Sequence, residues 1–467
     1  MSTVAIIGAG VAGLSVAHEI RKRAPHVGLI VLEPRERTGG NVRTEICDGY
    51  TCEWGAVGFL DNAPATLQLV REVGLEPRLL PSRDSARRRY IYRSGRLHEV
   101  PASPLAFLTS SLLSARAKAR LLGEPFASGP GDDPDESIAS FAARRIGAEA
   151  AAVMVDSMVS GIYAGDASAL SLRACFPRMR EMEQEHGSLF RALLATRKRR
   201  KKGDAIGAPA GRLTSFYRGM TELVEGLTRS LGPIVRTSSP VVDLQPPATS
   251  GGFRIATPDR RISADAVVLA GPAAGSADLL RGFGLDVSAA LRAIPTAPLA
   301  VVCLGYDEAQ LTAERGPLDG FGFLVPRSEK IRTLGALWET SIFDGRGPTG
   351  KALMRVMIGG AHDPHVLDSS DDELLAIVRD DLRQTMSLRI EPEMVRIFRH
   401  PRGIPQYTIG HLRRLARIDA ELDRYPGLFV AGNSYRGVAI NACIAEAGAI
   451  ADKAITAAAR ASSKPAA

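Results

Sequence analysis

Val4-Ala5-Ile6-Ile7-Gly8-Ala9-Gly10-Val11-Ala12-Gly13-Leu14 is an apolar run that passes directly into Gly-x-Gly-x-x-Gly. The run reads as a buried strand and the glycines as the turn into a helix, Leu14 to Lys22. A second strand, Gly28 to Leu32, ends on Glu33. Strand, helix and strand in this register make the first βαβ unit of a dinucleotide-binding fold. Gly8 makes the tight turn, Gly10 lets the backbone approach a pyrophosphate, and Gly13 lets helix and strand pack closely. Ala9, Val11 and Ala12 complete the turn, where a helix N-terminus offers free N–H groups and partial positive charge to phosphates. Glu33 stands twenty residues after Gly13, where a carboxylate can accept hydrogen bonds from ribose hydroxyls. The alternative, a glycine-rich turn with no ligand, leaves the acidic residue in register without a reason.

The residues just beyond Glu33 select the cofactor. Arg37-Thr38-Gly39-Gly40 comes next, then Arg43. Two glycines and two arginines beyond the ribose carboxylate form a second anion-binding loop, with Arg37 and Arg43 placed to neutralise phosphate through planar, paired hydrogen bonds. A nicotinamide dinucleotide does not need such a loop, whereas an FAD folded along its own pyrophosphate does. NADP is disfavoured because Glu33 would repel a ribose phosphate. Arginines on a solvated turn are the bland alternative, and it leaves Gly39 and Gly40 unexplained.

The combination of Gly-x-Gly-x-x-Gly with Arg-x-Gly-Gly resembles the superfamily of flavin monooxygenases, amine oxidases and desaturases. Several further segments resemble the protoporphyrinogen/coproporphyrinogen oxidases of haem biosynthesis. These are Glu53 to Phe59, Arg89 to Tyr92, Val100 to Pro104, Ser160 to Asp166, Gly403 to Tyr407 with Gly410-His411, and Gly432 to Asn441. The likeness runs from about residue 3 to residue 456. It implies an α/β fold: a Rossmann-type FAD-binding domain, an antiparallel-sheet substrate domain and a helical insertion. The expected division is 1–78, 206–288 and 401–467 for the FAD-binding domain, 79–205 for a helical substrate- and membrane-associated block, and 289–400 for the substrate-binding sheet.

Composition suits a large enzyme. The chain has 467 residues, 45% of them hydrophobic, enough for two or three cores. The first strand begins at residue 3 or 4 with no basic leader, and no uninterrupted apolar stretch reaches the ~20 residues of a spanning helix. Five scattered cysteines, Cys47, Cys52, Cys175, Cys303 and Cys443, fit a reducing cytoplasm rather than a disulfide framework. No His or Cys pair completes a zinc site beside Cys47 and Cys52, and His362-Asp363-Pro364-His365 reads as a surface loop, so no metal is expected.

The net charge of +8 is concentrated in Arg197-Lys198-Arg199-Arg200-Lys201-Lys202. A solvated linker is one reading of this run, and a dock for anionic lipid or an acidic partner is the other. Nucleic acid is not expected, since no aromatic residues are interleaved with the cations. The expected location is therefore the cytoplasm, with peripheral contact on the inner face of the membrane and contact with another haem-pathway enzyme as functional readings of the run.

Secondary structure is read as helical over much of about 80–200, as in Ile138 to Ile146 and Ala150 to Val159. Gly219 to Leu231 reads as a helix. Strands follow around Ile234 to Val242, Phe253 to Thr257 and Ala266 to Ala270. Residues 290–400 carry β-rich runs, and a last strand, Leu428 to Ala431, leads to a helix near Ala439.

The resemblance also assigns roles. Gly55, Ala56, Val57 and Gly58 pass along the flavin, Val241 touches the adenine through its backbone, and His400 lies near the flavin edge. After the Gly432-Asn433 turn, Val438-Ala439-Ile440 sits at the flavin ring, where a helix start aims its positive end at the N1/C2 carbonyl region. Arg89 corresponds to an arginine that holds a substrate propionate; a surface arginine is the other reading, since Arg87 and Arg88 precede it. Tyr163 is read either as a substrate residue or as packing behind one, and Gln406 with Tyr407 as shaping the cleft. The chain departs from the family's pattern at His400, in place of a common Trp; at Val57, in place of a polar residue; and at Ala442, in place of an acidic one. The implied reaction is oxidation of a porphyrinogen to the porphyrin by removal of six electrons, with dioxygen reduced to hydrogen peroxide. No catalytic base is named. Another oxidoreductase of the superfamily, an amine oxidase or desaturase, is the second reading, and a catalytically silent, flavin-bound porphyrin carrier is the third.

Overall fold

The computed structural model describes residues 2–129, 135–201, 211–247 and 252–462. At its centre is a five-stranded parallel sheet in the order Val235–Arg236, Gly28–Leu32, Thr3–Ile7, Ala266–Leu269 and Leu428–Val430. Successive residues of the first strand feed two different cores, as the period of two requires. Val4 and Ile6 pack with the helices Val11–Arg23, Thr221–Leu231 and Ile440–Ser462, while Ala5 and Ile7 pack with Ala273–Leu279, Leu285–Arg292 and His411–Leu422.

A seven-stranded sheet forms the second body, in the order Met394–Pro405, Thr296–Asp307, Lys351–Gly359, Thr333–Trp338, Gly322–Leu324, Tyr90–Arg93 and Arg96–Glu99. It too has two faces. Ala300, Val302, Leu304, Met354 and Val356 pack beneath the helix Asp371–Met386. Leu299, Val301, Cys303 and Leu353 meet Tyr50, Cys52 and Trp54 on the opposite face, which is turned toward the cofactor domain.

Three expectations change. The block 79–205 is not wholly helical: the hairpin Tyr90–Glu99 joins the antiparallel sheet, with Tyr90 and Ile91 pairing in parallel with Phe323 and Leu324. Its two-residue turn, Ser94-Gly95, has φ of 50° and 80°, the mirror-image geometry that matches strand twist. The strand expected across Ile234 to Val242 is interrupted between Val235–Arg236 and Asp243–Gln245. Pro240 has no N–H for a ladder, and Ser238 turns left-handed at φ 47°. The last strand of the sheet runs on to Pro405, across the boundary expected at 400.

The helices of the insertion lie between Pro104 and Lys201 and enclose charges. Arg145 and Glu124 are fully buried and paired, and Arg144 bridges Glu136 at 2.8 Å and Glu183 at 2.6 Å. The Glu124 carboxylate also accepts the Leu189 N–H at 2.9 Å and the Phe190 N–H at 3.2 Å, capping the helix Leu189–Lys201. The backbone of Arg197 to Lys201 continues that helix. The side chains of Arg197 to Lys201, and Lys202 entirely, lie outside the described residues. Among the described residues no helix is long and apolar enough to cross a membrane.

Candidate cofactor and substrate site

Two glycine loops meet at the carboxyl end of the parallel sheet. Gly8 turns with φ 110°, and a Cβ at Gly13 would stand 2.0 Å from the Gly8 carbonyl oxygen. A Cβ at Gly10 would meet nothing within 4 Å. Gly13 is thus glycine because helix and strand touch, whereas Gly10 borders space that a ligand can enter. Gly10 caps the helix Val11–Arg23 without a side-chain hydrogen bond, so the amides of Val11 and Ala12 stay available to an anion.

The second loop is bonded to the first. Gly39 N–H donates to the Ala9 carbonyl at 2.7 Å, and a Cβ at Gly40 would lie 3.4 Å from the Gly10 Cα. Glu33 is buried, and its carboxylate accepts N–H bonds from Ala9 at 2.8 Å and Arg35 at 3.1 Å. Each of its oxygens keeps a further lone pair, as a ribose diol requires. Arg37 donates to the carbonyls of Thr38 and Gly40, at 3.2 and 3.1 Å, and burial with Arg35 and Arg43 nearby lowers its pKa. Arg37 and Arg43 both lie over the Trp54 ring, 5.2 and 4.1 Å from its centroid, and Arg43 also pairs with Glu45 at 3.2 Å. An uncapped helix N-terminus, open space over Gly10, a buried ribose-type carboxylate and two arginines fit a dinucleotide with a folded pyrophosphate.

The remaining cofactor candidates fall around these loops. The segment with Val241 runs beside Glu33, whose carbonyl accepts the Ser239 N–H at 2.8 Å; Val241 itself is partly buried. Gly55 and Gly58 lie against backbone, where a Cβ would approach the Asn41 oxygen to 2.6 Å and the Thr214 oxygen to 2.5 Å. Ala56 is exposed, and Val57 is buried with Leu80, Leu337 and Phe343. His400 is buried and donates from Nε2 to the Trp54 carbonyl at 2.9 Å; burial lowers its pKa. Gly432 begins the last turn with φ 111°; Val438 packs beside the cluster around Tyr163, Ala439 is exposed, and Ile440 opens the final helix.

The substrate candidates separate. Arg89 is exposed, stacked 5.1 Å from the Phe321 centroid, with no carboxylate in ion-pair reach among the described residues. Its neighbours are engaged: Arg87 with Asp84, and Arg88 with Glu99 and Asp319. Tyr163 and Gln406 offer little to a ligand. The Tyr163 hydroxyl is spent on the Cys175 carbonyl at 3.1 Å, and both N–H groups of the Gln406 amide are spent, on the carbonyls of Tyr163 at 2.8 Å and Ile404 at 3.0 Å. Both side chains are buried, with these hydrogen bonds made inside the protein.

Sequence reasoning missed a set of buried charges beneath the Glu53–Gly55 loop. Arg355 donates to the Gly55 carbonyl, Arg346 lies 3.7 Å from Glu53, and neither Glu339 oxygen has a hydrogen-bond partner. Burial holds the Glu339 carboxyl above its ordinary pKa, against the pull of Arg355 and Arg346. The available signal was Arg355 itself, a lone cation inside the apolar run Ala352 to Gly359.

The flavin containing amine oxidoreductase family matches residues 11–455. The coproporphyrinogen III oxidase of Bacillus subtilis is 29% identical over 97% of this chain and 98% of its own length. The protoporphyrinogen oxidase of Homo sapiens is 33% identical over 95% and 96%. A solved structure from Exiguobacterium sp. 255-15, whose name provisionally assigns it to protoporphyrinogen oxidase, superposes with a TM-score of 0.82 at 26% identity, covering 97% of this chain and 98% of that one. The two-loop cradle, the antiparallel sheet set against it and these near full-length likenesses place the chain in the flavin containing amine oxidoreductase family, among its porphyrinogen oxidases.

Proposed function

We propose that the chain is an FAD-dependent oxidase of a porphyrinogen, coproporphyrinogen III or protoporphyrinogen IX. The observation that carries this reading is the likeness to named porphyrinogen oxidases over nearly the whole chain, joined to a cradle that fits a folded dinucleotide. FAD, when bound, would supply the hydride acceptor and the redox link to dioxygen. The chain's own residues bind and orient. Val11 and Ala12 amides, Arg37 and Arg43 take the phosphates, and Glu33 takes the ribose. The apolar face with Val57 and Leu337 excludes water from a macrocycle of similar polarity. Arg89, at the rim with no acidic partner, takes a propionate. His400 holds the Trp54 carbonyl through its Nε2–H, which makes it a strut for that loop.

The helical block is the proposed contact with an anionic membrane face. Leu105, Leu108, Phe126, Leu193 and Leu194 are exposed there, on the same block as the basic run. Replacing the six cations of 197–202 by Gln should weaken binding to anionic vesicles in a salt-sensitive way, by roughly 1 kcal/mol per charge near the surface, with turnover in solution unchanged.

Purified protein assayed with each porphyrinogen, read by product fluorescence and by bleaching of the flavin absorbance, tests the activity. Bleaching and porphyrin formation support an oxidase. Tight porphyrin binding without bleaching would make the chain a carrier.

A further inference from the structure

The turn between the strand Leu428–Val430 and the helix Ile440–Ser462 is gripped by side chains from another segment. The Tyr407 hydroxyl donates to the Asn433 carbonyl at 2.6 Å and accepts the Gly437 N–H at 2.7 Å. One buried oxygen therefore bridges two peptide groups four residues apart, using a donor and an acceptor role at once. The Tyr407 ring stacks on His411, centroids 4.1 Å apart and planes at 16°. His411 carries its proton on Nε2, because its partner there is the Tyr435 carbonyl at 2.8 Å. Three backbone groups of the turn, at 433, 435 and 437, are thus fixed from outside it. Gly437 takes φ 133°, and a Cβ there would meet the Ala442 Cβ at 2.3 Å, so the turn has little slack of its own.

The gripping segment is itself tied to the helical block. Ser171 N–H donates to the Tyr407 carbonyl at 2.8 Å, the Gln406 amide donates to the Tyr163 carbonyl at 2.8 Å, and Gly410 N–H donates to the Asp135 carboxylate at 2.6 Å.

We infer that Tyr407 is a positioning residue for the flavin: its hydroxyl fixes the turn that presents the start of helix Ile440–Ser462, and links that turn to the helices of the substrate side. The inference rests on the proposed reading of an FAD-binding chain whose Val438-Ala439-Ile440 faces the flavin ring. The positive end of a helix acts within about its first turn, so a small displacement of that turn changes the potential felt by the ring. A buried hydroxyl removed from two backbone partners leaves both unsatisfied, which releases the turn while the aromatic stack persists.

Tyr407→Phe in the holoprotein is the test, with sulfite as the probe, since its addition to the flavin places negative charge on the ring. Flavin content and fold are expected to hold. Sulfite affinity should fall about tenfold, the two-electron midpoint should move about 30 mV negative, the equivalent of that factor, and kcat should fall with KM near wild type. Exchange of the Gly437 amide should quicken. Ala439→Asp, which puts a negative charge at the same helix start, tests the underlying reading separately. If Ala439→Asp lowers the potential and Tyr407→Phe does not, the turn faces the flavin and the Tyr407 inference is overturned. If neither moves it, the reading of the turn fails and the inference with it. Should Tyr407→Phe not retain FAD, His411→Phe, which keeps the ring stack but removes the donor to the Tyr435 carbonyl, is read in the same assays, and an unchanged midpoint overturns the inference.

Discussion

In the parallel-sheet half the centre of the interior is apolar chain and bare backbone, with the carboxylates Glu33 and Glu222 buried toward its margins. Val4, Ile6 and Val268 fill it, and its closest approaches, such as Gly13 against Gly8, are possible because nothing but hydrogen stands on the α-carbon. In the helical block and beneath the antiparallel sheet the interior also holds ions: Glu124, Arg145 and Glu183 in one, Glu339, Arg346 and Arg355 in the other. The first interior depends on shape and the second on pairing. Damage to the first should be all-or-none, and damage to the second should be graded and sensitive to pH.

The sharpest separation is expected within one loop. Gly13→Val forces a side chain into the Gly8 carbonyl, and no folded protein should be recovered. Gly10→Val, three residues away, meets only open space. It should fold with a native circular dichroism spectrum yet purify with less than about a tenth of the wild-type flavin, because the side chain fills the place of the pyrophosphate. A Gly10→Val protein with full flavin would remove the cradle as drawn.

In the charged interior, Glu124→Ala removes the nearest carboxylate of the Arg145 guanidinium, leaving it Glu183 at 3.5 Å, and uncaps the helix Leu189–Lys201. A cost of about 3–5 kcal/mol in denaturant unfolding is expected, with flavin content unchanged under native conditions. A loss under about 1 kcal/mol would show that Arg145 finds other partners, and the contrast between the halves would weaken.

Glu53 lies between the two bodies, and burial raises its carboxyl to about 7 against the opposing pull of Arg346, the Met220 N–H and the Thr44 hydroxyl. An unfolded chain releases this proton near the ordinary carboxylate value, so the folded state holds an extra proton in between. Stability from this group is complete below about pH 4.5 and is lost as pH rises through 7, by about 3 kcal/mol in all. Glu53→Gln should remove that slope. Wild type and variant compared at about pH 5 and pH 8 give the measurement, and a difference independent of pH would return Glu53 to an ordinary carboxylate.

The smallest effect belongs to the rim. Arg89→Ala loses one charge-assisted bond to a propionate, worth about 1.5–3 kcal/mol, so KM should rise roughly tenfold to a hundredfold with flavin and thermal stability unchanged. Arg87→Ala, already paired with Asp84, should leave KM alone. Equal small changes in both would make Arg89 a solvated arginine.

The same contrast explains what could be read in advance. The βαβ unit was legible because its signals lie within thirty-three consecutive residues at fixed spacing: an unbroken apolar strand from Val4 to Ile7, glycines at set intervals, Glu33 at the strand end. The hairpin Tyr90–Glu99 escaped because its hydrogen-bonding partner is Gly322–Leu324, supplied from far along the chain. Tyr163 and Gln406 were read as substrate-side residues, but only their partners, the carbonyls of Cys175, Tyr163 and Ile404, reveal that their polar atoms are already used. Arg346 gave no warning, and Arg355 only that of a lone cation in an apolar run, because a buried cation is defined by what surrounds it, and their surroundings come from Glu53, Gly55 and Ser215. Arg89 was legible only as one of three adjacent arginines; its neighbours' ion pairs set it apart.

The helix Val11–Arg23 packs against Ile440–Ser462, and the strands that flank Thr3–Ile7 include Ala266–Leu269 from much later in the sequence. A ribosome therefore delivers the dinucleotide fingerprint early and the surfaces that cover it late. Through most of synthesis the apolar face around Leu14, Ala17 and Ile20 is open to chaperones and to aggregation, while the antiparallel sheet has most of its strands in hand before the last helix emerges. Retention of the cofactor is thus a post-translational event that reports on completion of the chain. A premature stop anywhere before Ile440 would leave the most recognisable motif in the protein intact and unable to keep its ligand.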